Sequence, residues 1–381
     1  MEYRKLGTTG FDVSIIGLGA EHLEHSPLDT IVSVVDTAFD GGINYIDLFM
    51  ASPDVRDNFG IALKSRRQQM MIAGHLGATM KNGQYSRSRD TALCENYFND
   101  LLTRLQTDYI DILMLHYIDE PDDYDKVFDT EDGLLELALR LQKEGKARTL
   151  GMSSHRVPVS IKAVNSGYID VLMFPVNPAI DTLPGDIEIE AAFQASTYKQ
   201  PQTETNPTSR RDLYHDCAAR SVCIVAMKPY AAGWLFTKGN PSSIVLTPVQ
   251  CLSYALSQPG VGTVVPGCRT ANEVKTALVY LETDDKEKDF SAIDTNSTWK
   301  LQGSCMYCNH CLPCPVSIDI AAVTRLADTT RYARDSRVAT VYETLPVTAS
   351  VCTECGVCVE RCPFKVDVIC NMKRAVAIFG K

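Results

Sequence analysis

The 381-residue chain carries 47 acidic against 37 basic side chains, a formal net charge of −10. That balance argues against a nucleic-acid surface, which needs concentrated Lys and Arg. No apolar run reaches membrane-spanning length. With 45% hydrophobic residues the chain can fill a normal globular core, and its length suits one large domain plus a small one.

Residues 1–19 read as two short strands around the turn Thr8-Thr9-Gly10, the second running into an apolar strand that ends at Gly19. Apolar strands then recur at 45–48, 70–73, 110–115, 147–152, 171–176, 223–227 and 262–265. Helical segments alternate with them, for example at 29–40, 90–105, 133–144 and 248–258. Continuously apolar strands suit a parallel sheet buried on both faces. Counting 15–19 as the first, eight strand–helix units predict a (β/α)8 TIM barrel, an α/β fold whose site lies at the C-terminal strand ends. The barrel is assigned to residues 1–283, opened by an N-terminal β-hairpin. A polar insertion at about 181–211 interrupts it after the sixth strand, as a lid over the mouth or a plain surface loop. Residues 284–298 read as a linker and 299–381 as a small, mainly helical domain ending in a tail that docks as a helix.

Two cysteine runs mark that second domain. Cys305, Cys308, Cys311 and Cys314 precede Pro315, and Cys352, Cys355, Cys358 and Cys362 precede Pro363. The second spacing is that of bacterial two-cluster ferredoxins, in which three thiolates hold one [4Fe–4S] cube and the fourth reaches the other. The first is one residue shorter. Zinc also takes paired C-x2-C sites, but usually as two pairs with a long gap between them. The spacings therefore predict two [4Fe–4S] clusters in a ferredoxin-like domain. Cys94, Cys217, Cys223, Cys251, Cys268 and Cys370 are scattered and read as buried small hydrophobes. Free thiols together with clusters point to a reducing cytoplasm.

The opening hairpin and the segments GGINYIDLF, DYIDILMLH, GKARTLGMSSH, VAMKPYAAG and VVPGCRTANEV resemble the aldo/keto reductase family. The cysteine-rich end resembles the branch of that family with a C-terminal ferredoxin-like 4Fe–4S domain. The resemblance implies a catalytic Asp, Tyr, Lys and His, the tyrosine protonating a carbonyl oxygen as NADPH delivers hydride. Asp47 and His116 keep two of these places. Ser52 falls at the tyrosine position and His75 at the lysine position. Serine is a far weaker acid with a shorter reach, so proton donation is expected to move to His75 or His116, which can titrate near neutral pH. For the cofactor the resemblance points to Ser153; Gly267 with the helix N-terminus after it offers an anion cradle, Arg269 a guanidinium for phosphate, and Lys228 at the end of the seventh strand either a charge for an anionic ligand or a partner for Asp47 or a neighbouring acid. Glu273 and Ala277 stand where the family often binds the NADPH 2′-phosphate and adenine, which leaves NAD(P)H open. No flavin motif is apparent, and flavin use is undecided.

His22, Asp47, His75, His116 and His155 all fall at strand ends and could converge as metal ligands. The plainer reading is that they are ordinary members of the site. Tyr85, Arg87 and Arg89 read as a helix-entry loop ahead of Asp90 rather than as substrate-facing groups. The main functional expectation is an oxidoreductase reducing a small molecule in the barrel mouth, with electrons supplied through the two clusters by a ferredoxin or other redox partner. Alternatives are an NAD(P)H-dependent carbonyl reductase with His75 and His116 as acids, and a non-catalytic electron-transfer or binding protein.

Overall fold

The computed structural model describes residues 1–128, 131–199, 209–294, 303–332 and 336–381. Strands β1 (Tyr3–Lys5) and β2 (Asp12–Ser14) pair antiparallel. Their apolar residues Leu6 and Val13 are wholly buried. Both join an interior cluster with Met71, Val171 and Cys223, so the hairpin stoppers the barrel at the end where the strands begin.

The barrel then runs in chain order. β3 (Leu18–Gly19) leads to α1 (Leu28–Asp40), β4 (Tyr45–Leu48) to α2 (Pro53–Leu63), and β5 (Met71–Leu76) to an inserted hairpin of β6 (Ala78–Lys81) and β7 (Gln84–Arg87). α3 (Thr91–Arg104) returns to β8 (Ile110–Leu115), and α4 (Pro121–Phe128) and α5 (Leu134–Lys143) precede β9 (Ala147–Ser153). α6 (Val157–Ser166), β10 (Val171–Pro175), the short α7 (Ile189–Ala192), α8 (Arg210–Arg220) and β11 (Cys223–Met227) follow. α9 (Pro248–Ser257), β12 (Val261–Val265) and α10 (Ala271–Leu278) complete the repeat. The large sheet has eight strands in the order β12-β11-β10-β9-β8-β5-β4-β3. Parallel bridges Ile16 to Val264 and Gly19 to Gly267 join its two edges and close the barrel. Closure removes the exposed strand edges of an open sheet. The (β/α)8 expectation therefore holds, with the hairpin in place.

The insertion after β10 is ordered where it is described. Asp181 accepts from Tyr214 Oη at 2.7 Å and Tyr254 Oη at 2.8 Å, and burial pushes its carboxyl up to about 6. Ile180, Leu183, Ile189 and Ala192 form a small apolar cluster against Tyr117, Phe193 and Tyr198. Positions 200–208 of the insertion and 295–298 of the expected linker lie outside the described residues.

The C-terminal region consists of α11 (Ile320–Thr329), α12 (Arg337–Glu343), α13 (Val357–Arg361) and α14 (Val368–Phe379). Asp319 and Asp367 cap α11 and α14 through the N–H groups of Ala322 and Cys370. Ile318, Val323, Phe364 and Met372 belong to the same buried cluster as the outer barrel layer. Tyr307 Oη joins His215 Nε2 of α8 at 3.1 Å and donates to Asp328 at 2.8 Å. His215 Nδ1 meets Thr329 Oγ1 at 3.0 Å.

This region corrects the expectation of a separate ferredoxin-like iron–sulfur domain. Among the described residues no group of three or more His, Cys, Asp or Glu side chains is arranged to hold a metal ion. Cys305, Cys308, Cys311, Cys314, Cys352, Cys355, Cys358 and Cys362 are free cysteines. Burial pushes the thiols of Cys305 and Cys311 up to about 12. Spacing along a chain is necessary for shared ligation, but convergence of the sulfurs is a separate requirement. The ferredoxin-like branch, the two [4Fe–4S] clusters and electron transfer through them are thus not supported. Cys370 departs from expectation too, being exposed while Cys94, Cys217, Cys223, Cys251 and Cys268 are buried.

Candidate active site

The parallel register of β4, β5 and β8 brings three polar side chains together at the strand ends. Asp47, His75 and His116 are all at least 94% buried, since none exceeds 6% exposure. His75 Nε2 lies 2.9 Å from Asp47 Oδ1, and His75 Nδ1 lies 2.8 Å from His116 Nδ1. The other imidazole nitrogen of His116, Nε2, lies 2.5 Å from Tyr85 Oη. The result is one hydrogen-bonded line, Asp47–His75–His116–Tyr85. Phe49 stacks on the His116 ring (centroids 5.4 Å apart, planes at 16°) and sets its edge against His75 and Tyr85. That packing fixes ring orientations a solvated histidine would not keep.

Tyr85 was not apparent as a site residue, because its segment read as a helix-entry loop. The segment is instead a strand. Asn82 and Gly83 both take positive φ (52° and 74°) and turn the chain back, so that Met80 pairs with Tyr85. An Asn-Gly pair is the strongest short-range hairpin signal, and it was present in the sequence. Arg89 pins the base of the hairpin with two bonds to the Asp123 carboxylate at 2.8 and 2.6 Å and a third to the Tyr117 carbonyl. Tyr97 Oη donates to the Met80 carbonyl from α3. Asp90 does serve the helix, as the N-cap accepting from Leu93 N–H.

Burial first, then the charges of His75, Arg89, Arg87 and His155, hold His116 well below the usual imidazole range. His116 is therefore neutral at physiological pH, contrary to the expectation that it titrates near 7. Burial raises Tyr85, and the nearby Arg87 and Arg89 pull it back down. Arg87 lies over the Tyr117 ring, 3.9 Å from its centroid.

The remaining candidates are scattered around the same end of the barrel. Ser52 precedes α2, and its buried hydroxyl has no hydrogen-bond partner, so it does not join the line. Ser153 Oγ accepts from Tyr117 N–H at 2.8 Å. His155 is held by Asp119 at Nδ1, 3.0 Å away. Lys228 follows β11 with φ 55°, and its carbonyl accepts from Asn177 Nδ2 at 2.8 Å. Lys228 forms no ion pair with Asp47; its ammonium lies 3.9 Å from Met227 Sδ. A Cβ at Gly267 would sit 2.5 Å from the ring of the exposed His22. At the start of α10, Arg269 N–H donates to Glu273 Oε2 at 2.5 Å, and Thr270 Oγ1 caps Glu273 N–H. Tyr117 Oη donates to Glu190 of the insertion at 3.2 Å, which ties the insertion to the residue beside His116.

The model of the aldo/keto reductase family matches residues 15–183. An uncharacterized oxidoreductase of Bacillus subtilis, YqkF, is 31% identical over 288 residues, covering 72% of this chain and 89% of the relative. The chain belongs to the aldo/keto reductase family. This family member is an oxidoreductase. It is also 30% identical over 251 residues to the L-galactose dehydrogenase of Arabidopsis thaliana, covering 63% of this chain and 69% of that one. Among solved structures, the holo form of the aldo-keto reductase AKR11C1 from Bacillus halodurans superposes with a TM-score of 0.58 at 23% identity. That likeness, which covers 78% of this chain and 97% of the other, speaks to the fold. No helix among the described residues is long and apolar enough to cross a membrane.

Proposed function

We propose that this aldo/keto reductase interconverts a carbonyl and an alcohol on a small molecule bound at the barrel mouth, with a nicotinamide dinucleotide as redox partner. The observation that carries this reading is the buried Asp47–His75–His116 line at the strand ends, an acid–base system standing where a proton must enter or leave the substrate oxygen.

The residues present fit a nicotinamide dinucleotide. The Ser153 hydroxyl accepts from Tyr117 N–H, so its own hydrogen is free to donate to a carboxamide oxygen. Lys228 has no acidic partner among the described residues and would meet a pyrophosphate charge. Gly267 and the N-terminus of α10 offer backbone N–H groups to the adenosine end. The bound dinucleotide would supply the hydride chemistry that no side chain provides. Glu273 already holds the Arg269 N–H with a carboxylate, and a 2′-phosphate brought there would be repelled. NADH is therefore the preferred form over NADPH.

The buried free thiols support residence in a reducing cytoplasm. The test of the function is turnover of paired aldehydes, ketones and alcohols, followed by nicotinamide absorbance in wild type and Asp47→Asn. Activity in wild type that falls at least about 100-fold in the variant is expected. Equal activity of the two proteins would contradict the reading.

A further inference from the structure

The line of hydrogen bonds has a direction. Asp47 as a carboxylate can only accept, so His75 carries its proton on Nε2 and leaves Nδ1 bare. His116 must then present Nδ1–H to His75, which leaves its own Nε2 bare. A bare Nε2 at 2.5 Å obliges Tyr85 to donate its phenolic hydrogen inward. With one proton on each imidazole, no other assignment satisfies all three contacts.

We propose that Tyr85, delivered by the β6–β7 hairpin, is the residue that exchanges a proton with the substrate oxygen, and that its resting state is that of a base awaiting an alcohol. The proposal rests on the nicotinamide-dependent reading above. Tyr85 is 42% exposed while its hydroxyl is tied to a buried imidazole, so the residue links solvent to the relay. Ser52 cannot stand in for it, its hydroxyl being buried and unjoined to the line.

In the oxidative direction the substrate O–H proton passes to Tyr85 Oη as the phenolic proton moves to His116 Nε2. The His116 Nδ1 proton moves to His75 Nδ1, leaving an imidazolium against the Asp47 carboxylate. A bound oxidised dinucleotide would take up the carbinol hydrogen with its bonding pair, as hydride, which leaves the carbon and oxygen as a carbonyl. Reduction runs the same protons outward and needs the relay loaded with one extra proton. The charged and titratable groups around this relay are Asp47 and His75 within it, Glu21 and Arg87 by Tyr85, Arg89 at the hairpin base, and His155 beyond His116. Arg87 and Arg89 oppose an added proton on His116, which keeps its Nε2 open to the hydrogen that Tyr85 donates.

The test pairs imidazole 15N spectra of the protein without cofactor with kinetics of Tyr85→Phe. The spectra should show a protonated Nδ1 and a bare Nε2 on His116, with the Nε2 signal moving in Tyr85→Phe while the other histidines hold. A protonated Nε2 would overturn the assignment. In turnover, Tyr85→Phe should lose about 100- to 1,000-fold in kcat with KM and NADH affinity unchanged, and Tyr85→Ser should not recover it. Full kcat in Tyr85→Phe, with NADH still bound, overturns the role of Tyr85 alone. Failure of the wild type to bind any nicotinamide dinucleotide overturns the underlying reading instead.

Discussion

The hydroxyl of Tyr85 and Nε2 of His116 lie 2.5 Å apart, although one belongs to an inserted hairpin and the other to the end of a barrel strand. A strand end holds its side chain rigidly, whereas a hairpin brings in a group that the eight-fold repeat does not supply. The site of this aldo/keto reductase is thus assembled from the barrel and from an addition to it.

If the four residues act as one relay, their losses should not add. His75→Ala and Tyr85→Phe should each lower kcat by about 100-fold or more, and the double variant should be little worse than either alone. A double-mutant cycle measures this. Strictly multiplicative losses would mean that the two act separately.

The hairpin depends on the Arg89–Asp123 pair, a two-pronged contact with side chains 18% and 28% exposed. Arg89→Ala should cost only about 1 kcal/mol of global stability, as partly solvated pairs do. It should nevertheless lower kcat by freeing Tyr85, and speed amide hydrogen exchange across 78–87. Unchanged exchange there would show that other contacts hold the hairpin.

Reduction consumes one proton, and His116, held well below the usual imidazole range, stores none at neutral pH. Initial rates of reduction should therefore rise as pH falls from 7, while rates of oxidation stay flat above neutrality and fall toward acid. Stability should move against the reductive trend. His116 and His155 are depressed by burial, and His215 is depressed to about 4. Their contribution is complete above the unfolded value of roughly 6.5 and is lost as pH drops through the folded values. Asp181, raised to about 6, offsets part of this, since it favours the fold at lower pH. Rates and unfolding midpoints measured on one buffer series separate the two effects.

The C-terminal helices share a buried cluster with the barrel and meet α8 through Tyr307 and His215. Tyr307→Phe should cost about 1–3 kcal/mol by leaving buried partners unsatisfied. Urea unfolding should stay a single transition at a lower midpoint. An early, separate transition would mean that the region folds independently.

Most of the barrel was legible because many strands are largely apolar runs, such as Cys223–Met227, set at regular intervals between helical segments. Asp47, His75 and His116 were legible through the family resemblance, whose catalytic positions they occupy. Tyr85 was not, since a hairpin inside a strand–helix connection breaks the expected rhythm, and Asn82-Gly83 was passed over as loop. The cysteine runs misled for a different reason. Regular spacing is a one-dimensional property, and nothing in it states where the sulfurs of Cys305 or Cys355 come to rest.

The central claim, a nicotinamide dinucleotide serving the relay, is tested most directly by fluorescence titration of the purified protein with NADH and NADPH. The account predicts saturable binding of NADH, with NADPH weaker by about tenfold, roughly 1.4 kcal/mol, and that gap closing in Glu273→Gln. Absence of binding by either dinucleotide would contradict it.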